Sequence, residues 1–228
     1  MFHKVDRGGY AGQVADHCLL STSSGEAMDS PHPSSEGGWD EEMSRKFLDY
    51  GRYFVPERER QLQAIVALVA CPDRSCTIYD LCCGEGLLAE ALLERFPACT
   101  VYGFDGSVAM LRRAEERLAR FGERFRPQPF DLASRSWRSV DRPVQAVVSS
   151  LAIHHLDGPH KWVLFRDVHW MLAPGGAFVV ADLVAPAHPL GRELAAHAWD
   201  EAVRERALEL DGTTDGFDFF QRERWNSF

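Results

Sequence analysis

From Tyr79 to Gly86 the chain reads Tyr-Asp-Leu-Cys-Cys-Gly-Glu-Gly, a carboxylate at the end of an apolar run followed by two glycines one residue apart. Gly84 and Gly86 lack a Cβ, so the backbone there can turn sharply and lie flat against a ligand. The first N–H groups of the helix that opens near Leu87 then point into the space above the strand. Asp105 stands 21 residues past Gly84, at the end of a second strand-like run from Cys99, where a carboxylate can accept both hydroxyls of a ribose. These residues are equipped to hold a nucleoside. A dinucleotide suits them poorly, because the three glycine positions of G-x-G-x-x-G are Cys82, Gly84 and Leu87, which removes the close helix approach and the pyrophosphate cradle.

A second set of reactive side chains follows the fourth strand-like run, in Leu151-Ala-Ile-His154-His155-Leu156. An imidazole there can orient or deprotonate an acceptor. Equally, one histidine can cap the strand through backbone hydrogen bonds while the other packs under a lid, and both readings stand. Asp182, near the end of the fifth strand-like run, faces the same choice between substrate pocket and strand-end turn. His154, His155 and His160 lack acidic or cysteine ligands at a suitable spacing, so no metal site is expected. Glu85, between the two glycines, is read as a solvent-facing residue.

The elements that must position these groups alternate between strand and helix. Thr77 to Leu81 is followed by a helix carrying Leu88, Ala91, Leu92 and Phe96 and stopped by Pro97. Thr100 to Phe104 is followed by a helix capped by Ser107 and striped by Leu111, Ala114, Leu118 and Phe121. A weak strand surrounds Phe125 to Phe130, and Ala146 to Leu151 is a clear fourth. Trp162, Phe165, Val168 and Leu172 mark the next helix, and Ala177 to Leu183 the fifth strand. Right-handed crossovers put all the strand ends on one rim, where open α/β sheets bind ligands. The fold class is therefore α/β, a Rossmann-like, doubly wound, mostly parallel sheet with helices on both faces.

The ordered runs Asp80 to Gly86, Gly103-Phe-Asp-Gly-Ser-Val-Ala-Met-Leu111, Phe130-Asp131-Leu132, Ser149 to Ala152 and Leu172 to Phe178 resemble the motifs of class I S-adenosylmethionine-dependent methyltransferases. The resemblance covers roughly Phe47 to Val184. It implies S-adenosyl-L-methionine as cofactor, with Asp80 and the turn at Cys82, Gly84 and Gly86 holding the methionine end. Asp105, beside Gly106, would grip the ribose, Met110 would pack on adenine, and Asp131, with Leu132, would receive the adenine amino group. Ser149, near the same rim at the end of the fourth strand, is a further cofactor-binding candidate. Cys82 departs from the glycine of many members, although a Cys-Cys pair is familiar in the quinone-biosynthesis branch. The helical stretch from about Trp39 to Cys71 resembles a lid, with Arg52 and Tyr53 as its candidate cofactor contacts; packing of Tyr53 and solvation of Arg52 is the other reading.

At 228 residues and 45% hydrophobic content the chain suits one soluble domain. A net charge of −9 argues against a nucleic-acid surface, which needs clustered Lys and Arg, and favours a small-molecule acceptor. No apolar run approaches a membrane span, and no signal-peptide core opens the chain. The six cysteines show no zinc-like pairing and read as reduced thiols of a cytoplasmic protein. Residues 1 to 38 read as a disordered extension, 39 to 71 as the lid, 72 to 184 as the core and 185 to 228 as a helical end. After Val184 no run remains to build strands six and seven of the family fold, so a truncated sheet, an exposed edge on strand five and dimerisation through that edge are expected. Two functions follow from these expectations: methyl transfer to a small molecule, or a noncatalytic cofactor-binding or assembly subunit.

Overall fold

A computed structural model describes residues 40–71 and 75–226, and the expected N-terminal extension lies outside them. Helix α1 (Glu41–Phe54) starts where the Asp40 carboxylate accepts the Met43 N–H at 2.8 Å, and α2 (Arg58–Leu68) follows it. The core then alternates: β1 (Cys76–Leu81), α3 (Leu87–Arg95), β2 (Cys99–Asp105), α4 (Val108–Leu118), β3 (Phe125–Pro129), β4 (Val144–Ser150), α5 (Gly158–Met171) and β5 (Leu172–Ala181). Two further helices, α6 (Pro189–Asp211) and α7 (Asp215–Arg222), complete the described chain.

The sheet is parallel throughout, in the order β3-β2-β1-β4-β5, so the strand order reverses between β1 and β4. A parallel sheet must be covered on both faces, and the period-two alternation of its side chains decides what covers each. Ile78, Val101, Ala146 and Val148 point to the face covered by Leu62 and Ile65 of α2, Leu88 and Leu92 of α3, and Ala114 and Leu118 of α4. Leu81, Phe104, Val144 and Val147 point to the other, where Leu164, Val168 and Met171 of α5 meet them. A third cluster, with Tyr53, Phe54, Val203, Ala207, Phe219 and Phe220, ties α1 to α6 and α7.

Two expectations need correcting. The buried stripe of α5 is Leu164, Val168 and Met171, whereas Trp162 is 63% and Phe165 45% exposed; the apolar surface of this helix is wider than its core-facing stripe, and of the expected residues Trp162 and Phe165 lie outside it. Within the helical end, Phe219 and Phe220 of α7 are buried against α1. Cys71 and Cys76 are joined by a disulfide across the connection from α2 to β1, so this pair is not reduced. Among the described residues no strand follows β5, whose outer edge carries no partner strand.

Candidate functional site

The turn from β1 into α3 is built by left-handed backbone. Gly84 and Gly86 have φ of 54° and 85°. A Cβ on Gly86 would stand 2.9 Å from Leu118 Cδ1 and 3.2 Å from Ala114 Cβ, so the close approach of α4 to this turn requires glycine there. Cys82 also has φ 56°, at the position where glycine is more usual, and a side chain carries a cost of about 1 to 2 kcal/mol in that conformation. Burial, reinforced by the Asp105 and Asp80 charges, pushes the Cys82 thiol well up, and the same causes act on Cys83. Neither thiol is poised as a nucleophile.

Asp80 is 1% exposed, and its Oδ2 has no hydrogen-bond partner. Burial pushes its carboxyl up to about 8; Arg58 opposes the shift, and the Asp105 charge adds to it. Asp105 is buried at the end of the neighbouring strand, where Oδ2 accepts the Gly84 N–H at 2.8 Å and Oδ1 the Ser107 N–H at 2.9 Å. Burial raises this carboxyl too, against the lowering effect of those two bonds. Met110, also buried, lies with its sulfur 3.9 Å from where a Gly84 Cβ would stand. A Cβ on Gly106 would lie 3.3 Å from the Phe130 carbonyl, so the chain entering Asp131 passes close beside it. Asp131 itself is exposed, its Oδ1 accepting the Ala133 N–H at 2.8 Å. The Leu132 carbonyl accepts from Arg138 at 3.0 Å.

The fold thus gathers Asp80, Gly84, Gly86, Asp105, Gly106 and Met110 around the ends of β1 and β2. Two other candidates lie differently. The Ser149 hydroxyl is fully buried and donates to the Leu81 carbonyl at 2.9 Å, so it bridges β4 to β1. Tyr53 is 5% exposed, with its ring in the α1–α6–α7 cluster and its hydroxyl bonded to Asp211 and Arg52, and Arg52 pairs with Asp211 at 3.0 Å. Both lid candidates are taken up by the end of α6.

At the ends of β4 and β5, His154 Nδ1 lies 2.6 Å from Asp182 Oδ1, and the His154 N–H donates to Oδ2 at 2.9 Å. The Leu183 N–H donates to Oδ1 at 2.8 Å. Burial works to raise the Asp182 carboxyl, but the bonds from His154 and Leu183 outweigh it and hold it below the usual range. His155 is lowered by burial and by His154, whose ring centroid is 4.2 Å away. Glu85, left out of the site, pairs with Arg117 at 2.7 Å. Among the described residues no group of three or more His, Cys, Asp or Glu could hold a metal ion.

Two charged residues near this site were not anticipated. Arg58, at the start of α2, reaches the rim and donates to the Ser150 hydroxyl and to Gln61. Glu41 of α1 accepts the Val108 N–H at 2.6 Å and the Ser107 hydroxyl at 3.1 Å, covering the start of α4 beside Asp105. Both sit in charged runs, Pro-Glu-Arg-Glu-Arg and Asp-Glu-Glu-Met, which carry no mark of these contacts.

Residues 78–176 match the methyltransferase-domain family model. The trans-aconitate 2-methyltransferase of Variovorax paradoxus is 32% identical over 171 residues, covering 72% of this chain and 59% of that protein. The protein belongs to the class I S-adenosylmethionine-dependent methyltransferases. The trans-aconitate 2-methyltransferase of Acidovorax ebreus is 34% identical over 161 residues, 68% of this chain and 57% of its own. The chain therefore spans less than two thirds of the length of these curated relatives. Among solved structures, the plantazolicin methyltransferase BpumL matches with a TM-score of 0.56 at 15% identity, covering 82% of this chain and 64% of its own, and shows the shared fold. A protein of Methanococcus maripaludis does so at 0.53 and 14%, covering 85% and 80%.

S-adenosyl-L-methionine is the cofactor of this methyltransferase family, and the residues present fit it. An orphaned, buried carboxylate oxygen on Asp80 suits an ammonium group, and a two-glycine turn without a phosphate cradle suits a nucleoside. No described helix is long and apolar enough to cross a membrane.

Proposed function

We propose that this protein transfers the methyl group of S-adenosylmethionine to a small-molecule acceptor. The observation that carries the reading is the buried Asp80 oxygen without a partner, beside a glycine turn that Asp105 holds through the Gly84 N–H. Asp80 and the turn hold the methionine end, Asp105 the ribose, Met110 the adenine face, and Asp131 with Leu132 the adenine amino edge. The bound cofactor supplies a carbon made electrophilic by its sulfonium. The protein's part is to align an acceptor in line with it and keep water out. The matched relatives are named for trans-aconitate, so a small carboxylate is the first acceptor to offer; a carboxylate needs no base.

Calorimetry with S-adenosylhomocysteine and with NAD tests the binding step. The homocysteine compound is expected to bind and NAD to bind far more weakly, since two of the three dinucleotide glycines are replaced; equal or tighter NAD binding would sink the reading. Release of S-adenosylhomocysteine on incubation with cofactor and trans-aconitate separates an enzyme from a noncatalytic subunit, which would keep its cofactor unchanged.

For an acceptor that must lose a proton, His154 is the proposed base, with His155 beside it as the other candidate. With the proton of Nδ1 shared with Asp182, Nε2 keeps its lone pair. His154→Ala is then expected to lower turnover by roughly 10²-fold while cofactor affinity stays unchanged. A loss of melting temperature with turnover per folded molecule intact would assign the histidine a structural part.

The open edge of β5 is a place for self-association. Val180 and Leu183 are each 37% exposed, and Val184 is 83% exposed. Sedimentation of the 228-residue chain is expected to show dimers or larger species that Val180→Lys reduces; a monomer at tens of micromolar would exclude this contact.

A further inference from the structure

Past β3 the chain leaves the sheet in a loop, and the peptide unit between Leu132 and Ala133 is held at both of its ends. Its N–H donates to Asp131 Oδ1 at 2.8 Å, and its carbonyl accepts from Arg138 Nη2 at 3.0 Å. The same Nη2 reaches the Ala133 carbonyl at 3.4 Å. Oδ1 of Asp131 is thereby committed to the backbone, so the carboxylate takes its orientation from the peptide that Arg138 holds, and an amino group at this edge falls to Oδ2. Arg138 can hold a loop because it is itself held. It closes a short 3-10 turn (Ser136–Arg138), its side chain is 5% exposed, and Nη1 donates to Asp167 Oδ2 at 3.1 Å. Asp167, on α5, also takes Arg135 at 3.0 Å and Arg166 at 2.9 Å, both of them more exposed. Exposed pairs of this kind contribute little, whereas a buried guanidinium divided between a carboxylate and two carbonyls is confined to one geometry. A surface loop is ordinarily mobile; this one is pinned to α5.

We propose that Arg138, braced by Asp167, is a positioning residue for base recognition: it sets the Asp131 carboxylate against the adenine amino group and so determines selectivity for adenine over a base with an oxo group at that place. This rests on the reading above, in which Asp131 and Leu132 receive the adenine edge. Arg138 acts through the peptide between Leu132 and Ala133. Its partner Asp167 lies 29 residues along the chain, so the base edge is set by α5 as well as by the loop that carries it.

Calorimetry on the full chain compares S-adenosylhomocysteine with S-inosylhomocysteine, in which an oxo group replaces the amino group. The unaltered protein is expected to prefer the first by about tenfold or more, because a carboxylate accepts from an amino group and repels an oxo oxygen. Arg138→Met keeps an apolar stem and leaves Asp167 its other two arginines; it should bring the two affinities to within about threefold of each other. Arg138→Lys, which keeps the charge and loses the fork, should fall between and serves if the methionine variant does not fold. An unchanged ratio in a folded variant, whether or not both affinities drop together, overturns the proposal and leaves Arg138 a packing residue. Equal binding of the two nucleosides by the unaltered protein overturns it as well, removing Asp131 from the base edge while the cofactor reading stands. Binding of neither is a failure of the cofactor reading itself, seen before any variant is made, and the proposal falls with it.

Discussion

Asp105→Ala is expected to weaken S-adenosylhomocysteine binding by tenfold or more and to lower the stability of the ligand-free chain. Two charge-assisted hydrogen bonds to ribose hydroxyls, at about 1.5 to 3 kcal/mol each, account for the affinity. The stability effect has a separate origin. Alanine removes the acceptor of the Gly84 and Ser107 N–H groups, and each buried donor left without a partner costs about 1 to 3 kcal/mol. Asp105→Asn keeps one acceptor oxygen and should unfold less readily, while still losing ribose affinity. Denaturant melts and calorimetry on both variants check the two effects independently. Unchanged affinity in a folded variant would remove Asp105 from the cofactor site.

The second large effect is a pH dependence centred on Asp80. Its carboxyl titrates at about 8 in the folded, ligand-free chain against 3.8 as an unperturbed group, chiefly because it is buried. The folded state therefore holds a proton that the unfolded state has released between these values. Stability from this group is fully present below pH about 4 and is lost as pH rises through about 8, by an amount on the order of several kcal/mol. Binding an ammonium requires the ionised carboxylate. Cofactor binding at pH 6 to 7 should then release close to one proton, with affinity rising about tenfold per pH unit until the Asp80 titration is complete. Asp80→Asn should lose the affinity and the proton release while melting at higher temperature than the unaltered chain near pH 8. Parallel melting-temperature profiles for the two proteins from pH 5 to 9 would refute the assignment. The site thus carries its own instability: the carboxylate that suits the cofactor is the one the empty fold holds least well.

The sequence by itself was sufficient for the α/β class, the strands β1, β2 and β4, the glycine turn and the two aspartates that end the first two strands. Those features are local, and they rest on side-chain alternation, on the missing Cβ of Gly84 and Gly86, and on the spacing from Gly84 to Asp105. It was silent or misleading wherever a residue's role depends on a distant partner. The Asp182 that fixes His154 lies 28 residues away, and the Ser150 that anchors Arg58 lies 92 away. Tyr53 and Arg52 looked available for the cofactor until Asp211, at the end of α6, met them. Trp162 and Phe165 on α5 looked buried because apolar periodicity reports how many faces a helix could bury, and only the sheet beneath it decides which one is used. A charged side chain in a charged run carries no mark of whether it will be solvated, as most are, or drawn over a strand end as Arg58 and Glu41 are. That choice is made by the packing of α1 and α2 on the core, and it belongs to the tertiary structure alone.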